Sequence, residues 1–382
     1  VGGRQRHDGR ARAAMALFDR APVRLQPFFG YRSETRLTLS ARALRAGAPG
    51  AHLFKRRGRI QAMRTMLAQF ASREVAGLAV RLELKGPGGT TLEREAISDP
   101  EGYVRFDVPL EPGWPLSRDP AWEVACLHWL TAEGPQCIEG YVLAPGTATH
   151  LAVVSDIDDT IVETGITGGY RAVAKNWRRV LAELPDERIA VPGADVFFGA
   201  LGGGAVLAHP GSTGARYPAT HRPFFYISSS PWNLFAYLVA FQQSRGLPLG
   251  PLLLRDWGLN RATFGAESHG GHKRAALEQL LSFYPDLRFA LIGDDTQGDL
   301  AAYADTVQAS PGRIAAVFIR TGAGPLSPQE LAGKAMIEAA RVPLWLGDDF
   351  ATGAEFLRSI GISTHGETAQ IVKAVQQQEQ AA

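Results

Sequence analysis

The sequence predicts an α/β fold, a parallel sheet flanked by helices, preceded by a small β-rich, sandwich-like domain. Three observations carry this. From residue 147 onward, short apolar runs alternate with helical stretches, the pattern of strand–helix–strand units. From 28 to 146, apolar and polar residues alternate with period two between Gly/Pro turns, the pattern of half-buried antiparallel strands. Between these regions, LAVVSDIDDT (151–160) runs an apolar strand straight into Asp156, Asp158 and Asp159.

In chain order, residues 1–27 read as a basic leader, with Met15 as a natural start. RLTLSARAL (36–44), VAGLAVRLELKG (75–86) and EGYVRFDVPL (101–110) read as strands. WEVACLHWL (122–130) and CIEGYVLAP (137–145) read as a hairpin. HLFKRRGRIQAMRTMLAQFASR (52–73) predicts a helix with Lys55, Arg56, Arg57, Arg59 and Arg64 on a basic face. Such a face could meet phosphate head groups, though a solvated helix face is the simpler reading. Pro145-Gly146-Thr147 reads as the linker.

Beyond it, strands are expected at 151–155, 224–228, 251–254, 288–292, 314–319 and 342–346. Helices are expected around 170–183, 231–245, 272–284, 298–306, 328–340 and 367–379. Ser327-Pro328-Gln329-Glu330 is a helix start with N-cap, first-turn Pro and capping-box Glu. The Gly/Pro-rich insertion at 202–223 is long for a compact domain and reads as a lid or binding loop, with Arg216, Tyr217, His221 and Arg222 as candidate contacts.

Composition narrows the function. The 382 residues allow two domains, and a net charge of +2 argues against a broad nucleic-acid surface. Two cysteines, Cys126 and Cys137, exclude a disulfide framework, are too few for a Cys-built zinc site, and are expected to be reduced. The histidines show no metal-ligand spacing. No run approaches the ~18 apolar residues of a bilayer span, and the N-terminus lacks the apolar core of a signal peptide. The expected location is cytoplasmic, with peripheral contact at membranes as an extension of it.

Three carboxylates at the mouth of a buried strand repel one another and resist desolvation unless a cation neutralises them. An acidic helix cap would need only one. Oxygen-only ligands suggest Mg²⁺. Three further signals follow: FFYIS (224–228) continuing into Ser229-Ser230-Pro231, Lys273 at a helix start, and ALIGDDTQGD with Asp294, Asp295 and Asp299. Strand-end motifs converge beyond the carboxyl edge of a parallel sheet. The chemistry of phosphoryl transfer then assigns roles. Asp156 is the expected nucleophile and a metal ligand, and Asp158 the general acid and base as well as a member of the metal set. Ser228 would bind a phosphoryl oxygen, and Ser230 would cap the helix opening at Pro231. Lys273 would hold the phosphate and Asp156. Asp294 and Asp299 would complete the metal shell, Asp299 by orienting waters or Lys273, with Asp295 in support. Gly347-Asp348-Asp349 reads as a polar turn.

DIDDT, Ser228, Lys273 and GDDTQGD together resemble the four motifs of the haloacid-dehalogenase superfamily of phosphotransferases. SDIDDTI, YISSSPWNLF, GPLLLRDWGL, ALIGDDTQGDLAAYAD and PGRIAAVFIR look like one branch of it, the catalytic domain of the actin-patch-associated Mg²⁺-dependent phosphatidate phosphatases, over about residues 150–322. The resemblance implies a Rossmann-like core, Mg²⁺, and hydrolysis of phosphatidate to diacylglycerol and phosphate. Asn176, Arg188 and Pro192-Gly193 match family positions, and Arg255-Asp256 falls near the implied site. Asp295 stands where the pattern has Ser, and the 202–223 insertion is longer than the pattern. Two rival readings remain: a phosphatase for a soluble phosphomonoester, and a non-catalytic lipid- or protein-binding module.

Overall fold

The computed structural model describes residues 22–45, 73–157, 193–203, 216–255, 269–295, 298–322 and 324–362. The chain divides into two compact units. One comprises Val1–Pro115, Glu123–Val142 and Asn233–Ala240; the other Leu116–Trp122, Leu143–Trp232 and Phe241–Ala382.

The first unit is built on β1 (Val23–Pro27), β2 (Gly30–Arg32), β3 (Arg36–Arg45), β4 (Arg73–Glu74), β5 (Ala79–Lys85), β6 (Thr91–Ile97), β7 (Tyr103–Pro109), β8 (Ala121–Thr131) and β9 (Gly134–Ala144). The path runs β1-β3-β2-β9-β8-β5-β6, and β4 and β7 also pair with β3. β3 is the hub. It meets β2 at Leu37 and Thr38, β1 over Ala41–Arg45, and β7 over Arg36–Arg42, all antiparallel.

Period-two side chains make the core. Leu37, Leu39, Ala41 and Ala43 of β3 point inward, as do Val80, Leu82 and Leu84 of β5 and Ala125, Leu127 and Trp129 of β8. The intervening positions face away from it.

Four strands of this unit, β1, β2, β4 and β6, depart from the sequence reading. β1 lies in residues assigned to the leader, anchored by buried Leu25 and by pairing with β3. β6 was not foreseen because Glu93, Arg94 and Glu95 hide its alternation, with only Leu92 and Ala96 packing inward. Most of the expected basic helix (52–73) lies outside the described residues.

The second unit is a parallel sheet of β10 (Leu151–Asp156), β12 (Phe224–Pro231), β13 (Leu252–Arg255), β14 (Arg288–Asp294), β15 (Ile314–Arg320) and β16 (Leu344–Gly347); β11 (Arg216–Pro218) lies outside it. Every expected strand of this region is present. The order is β13-β12-β10-β14-β15-β16, so the first strand is central and the chain reverses its lateral direction between β10 and β14. This is the doubly wound order with a switch point beside the first strand.

The helices among the described residues are α1 (Ala194–Gly202), α2 (Phe235–Ser244, whose residues to Ala240 belong to the first unit), α3 (His269–Phe283), α4 (Asp299–Ala309), α5 (Pro328–Ala339) and α6 (Phe350–Ser359). Both sheet faces are covered, which is why these strands are near-continuous apolar runs. Phe224 of β12 stacks on Phe198 of α1, whereas the next residue, Phe225, packs against Tyr284 just past α3. On the first face, Phe197 of α1 also packs against Phe318 and Phe350.

The capping box forms at Ser327 and Glu330. The helices expected at 170–183 and 367–379 lie outside the described residues. α1 and α6 were not foreseen. α1 is short and glycine-flanked, and α6 starts where Asp348-Asp349 read as a turn. Asp349 is in fact its N-cap, accepting from the Ala351 N–H at 2.8 Å.

Candidate active site

The site is assembled by strand register. Asp156 ends β10 opposite Ile227 of β12, while Ser155 lies opposite Ile292 of β14. Asp156, Ser228 and Asp294 therefore stand at the carboxyl edge of three adjacent strands, flanking the switch point. Asp156, Ser228, Lys273, Asp294 and Asp299 are all essentially fully buried.

Asp299 opens α4, behind Gly298, whose left-handed backbone (φ 78°) turns the chain into the helix. Rather than facing solvent, its carboxylate reaches back. Oδ2 accepts the Asp294 N–H at 3.2 Å, and Oδ1 accepts from the Lys273 ammonium. Gly293 makes room for this, since a Cβ there would lie 2.2 Å from Asp299 Oδ2. Lys273, near the start of α3, also meets Asp156 Oδ1 at 3.1 Å. Burial by itself would lower the lysine pKa, but the charges of Asp156, Asp299 and Asp294 outweigh it and hold the pKa above its ordinary value. The ammonium thus stays charged at the unfavourable end of a helix because carboxylates surround it.

Carboxylate oxygens of Asp156, Asp294 and Asp299 lie within 4.8 Å of one another. Three carboxylates against one ammonium leave a buried excess of negative charge, which suits a hard divalent cation. With Asp299 already engaged by Lys273 and the Asp294 backbone, Asp156 and Asp294 are the side chains best placed to ligate, and Asp299 to hold the others.

Ser228 is buried beside these groups, and its Oγ accepts the Ser230 N–H at 3.0 Å. That local turn breaks the register of β12 with β13 between Ser228 and Pro231. The strand runs on to Pro231, and α2 begins only at Phe235 after a tight turn at Trp232–Leu234. The expectation that Ser230 caps a helix opening at Pro231 is therefore corrected.

Asp295 turns from the cluster to accept the Gly322 N–H at 2.8 Å, tying down the loop after β15. Asp158, Asn176, Arg188 and Asp256 lie outside the described residues. Within the insertion, α1 reaches Gly202 and β11 occupies Arg216–Pro218, so it is not one continuous loop. Arg222 donates to the Leu201 carbonyl at 2.9 Å, a structural tie.

Tyr303 and Gly293 were missed by the sequence reading. The Tyr303 hydroxyl donates to the Ile292 carbonyl at 2.8 Å, pinning α4 to β14 just below Asp294. Burial, then the charges of Asp299, Asp156 and Asp294, push its pKa well up, so it remains a donor. Its signal was present: Tyr303 follows Asp299 by four residues, one helical turn.

Residues 151–321 match the family model described as "Phosphatidate phosphatase APP1, catalytic domain". Phosphatidate phosphatase APP1 of Saccharomyces cerevisiae is 27% identical over 178 residues, 46% of this chain and 27% of that protein. An uncharacterized protein of Schizosaccharomyces pombe is 27% identical over 172 residues, 44% of this chain and 25% of that protein. The chain thus spans about a quarter of the length of these relatives. The resemblance to the phosphatidate phosphatase branch is borne out over this segment. A Bifidobacterium dentium β-glucuronidase structure aligns at 9% identity over 85% of this chain and 61% of that one, with a TM-score of 0.23, too low to bear on the fold.

Proposed function

With residues 151–321 matching the APP1-type phosphatidate phosphatase catalytic domain, we propose that this chain is a Mg²⁺-dependent phosphatase that releases phosphate from phosphatidate. The observation that carries the reading is the buried Asp156–Lys273–Asp299–Asp294 cluster at the switch point. The covalent route and the haloacid-dehalogenase type of core are part of the same proposal.

In this reading, an Asp156 carboxylate oxygen attacks phosphorus in line as the ester P–O bond breaks. Asp158 gives its proton to the departing diacylglycerol oxygen. It then takes a proton from the water that attacks the aspartyl-phosphate, freeing inorganic phosphate and regenerating Asp156. Lys273 fixes Asp156 and adds positive charge beside the phosphoryl oxygens. Asp299 fixes Lys273. Ser228 offers a hydroxyl at the strand edge. Bound Mg²⁺, held by Asp156 and Asp294, would supply further charge neutralisation on those oxygens.

No helix among the described residues is long and apolar enough to cross a membrane. The test is phosphate release from phosphatidate in mixed micelles and from soluble sugar and nucleotide phosphates, with Mg²⁺ and with chelator. Mg²⁺-dependent release from the micelles, lost in Asp156→Asn, supports the proposal. Fast turnover of a soluble ester with inert micelles would replace the lipid with a soluble substrate. No release from any ester would leave the non-catalytic reading.

A further inference from the structure

The first unit holds a second cluster of metal-binding side chains. Cys126 and His128 sit two apart on β8, so both project from the same face, opposite the inward Ala125, Leu127 and Trp129. On neighbouring β9, Ile138 packs toward the core, which turns the adjacent Cys137 outward. The path β9-β8-β5 places all three strands side by side. Ligand atoms of Cys126, His128 and Cys137 lie within 4.8 Å of one another.

From the next strand, Glu83 of β5 stands opposite Cys126, and its Oε2 is 3.2 Å from His128 Nε2. That nitrogen is shielded from solvent yet makes no well-aligned hydrogen bond. The two thiols are not joined in a disulfide.

We propose that Cys126, His128 and Cys137 form a binding site for Zn²⁺ on the outer face of the β5–β8–β9 sheet, with Glu83 beside the imidazole. The donor set decides the ion. Two sulfurs and an imidazole are soft to borderline ligands that select Zn²⁺ over Mg²⁺ or Ca²⁺. Zn–S and Zn–N bonds of about 2.3 and 2.0 Å set ligand-to-ligand edges near 3.6 Å in a tetrahedron, within reach of small side-chain rotations here.

The charges agree with this. Glu83 beside the imidazole and Glu139 next along β9 from Ile138 add negative charge near the three ligands. Bound there, the ion would staple β8 to β9 from outside the core. Two cysteines by themselves are too few for a Cys-built zinc site. The count missed this site because one of the three ligands is a histidine, brought in by strand alternation.

The test uses the full chain, reduced and stripped of metal, titrated anaerobically with Co²⁺. The expected result is a thiolate-to-cobalt charge-transfer band saturating one-to-one and removed by Zn²⁺. It should persist in Asp156→Asn, since oxygen ligands give no such band. It should be lost in Cys137→Ser and in His128→Ala. Alkylation of the wild-type thiols, which needs no variant, should slow sharply with Zn²⁺. A missing band in the reduced wild type, an unchanged alkylation rate, or a Cys126–Cys137 disulfide that resists thiol reductants would each overturn the proposal.

Discussion

At the scale of single residues, the proposed chemistry rests on atoms that cannot be exchanged for isosteres. Asp156→Asn replaces a carboxylate with an amide that is no nucleophile, and phosphate release should fall to background. On the proposed mechanism Asp158→Asn keeps the nucleophile but removes the proton carrier, so kcat should drop about 10²–10⁴-fold in the same assay. Lys273→Met is a harsher change for the fold. It leaves Asp156 and Asp299 facing one another in a buried site without their counter-ion, and breaking such a pair costs about 3–5 kcal/mol. Urea unfolding should show that loss, and a variant as stable as wild type would mean the cluster is more solvated than its burial implies.

At the scale of elements, the register of β10, β12 and β14 does the positioning. Gly293→Ala is the sharpest probe of it, because the added methyl would collide with the Asp299 carboxylate. Activity should be lost through displaced Asp299 and Lys273, with no catalytic atom removed. The surface pair Arg36–Asp107, across β3 and β7, tests the opposite regime. The Arg36 hydrogen bonds hold the Asp107 pKa below the usual carboxylate range. Its contribution is therefore present above the unfolded pKa of about 3.8 and fades as pH falls through the lower folded value. Both side chains are more than half exposed, so Asp107→Asn should cost under about 1 kcal/mol at pH 7 and nothing in strong acid, as read by thermal unfolding across that range.

At the scale of the whole molecule, the proposed Mg²⁺ site should appear as stability. At a hundred times its Kd, the ion should stabilise the unit that binds it by about 2.7 kcal/mol, and Asp294→Asn should abolish that increment. Calorimetry with and without chelator measures it. The outer-face cluster at Cys126 predicts a separate response, to Zn²⁺ rather than Mg²⁺, in the unit built from β1–β9. Two cations acting on two units would be seen as independent shifts.

Taken alone, the sequence determined every strand of the parallel sheet. A strand covered on both faces is a run of apolar residues, and such runs need no partner to be read. It also marked Asp156, Lys273, Asp294 and Asp299, because carboxylates and a lysine next to apolar runs are costly without a function. Tertiary structure alone decided what those residues do to one another: that Asp299 turns back to Lys273 and the Asp294 backbone, that Asp295 turns away to Gly322, and that Tyr303 locks α4 to β14. It also decided that Cys126, His128 and Cys137 share one face. Spacing along a chain fixes which side of a strand a residue takes, but only the pairing of strands fixes whose side chain stands next to it.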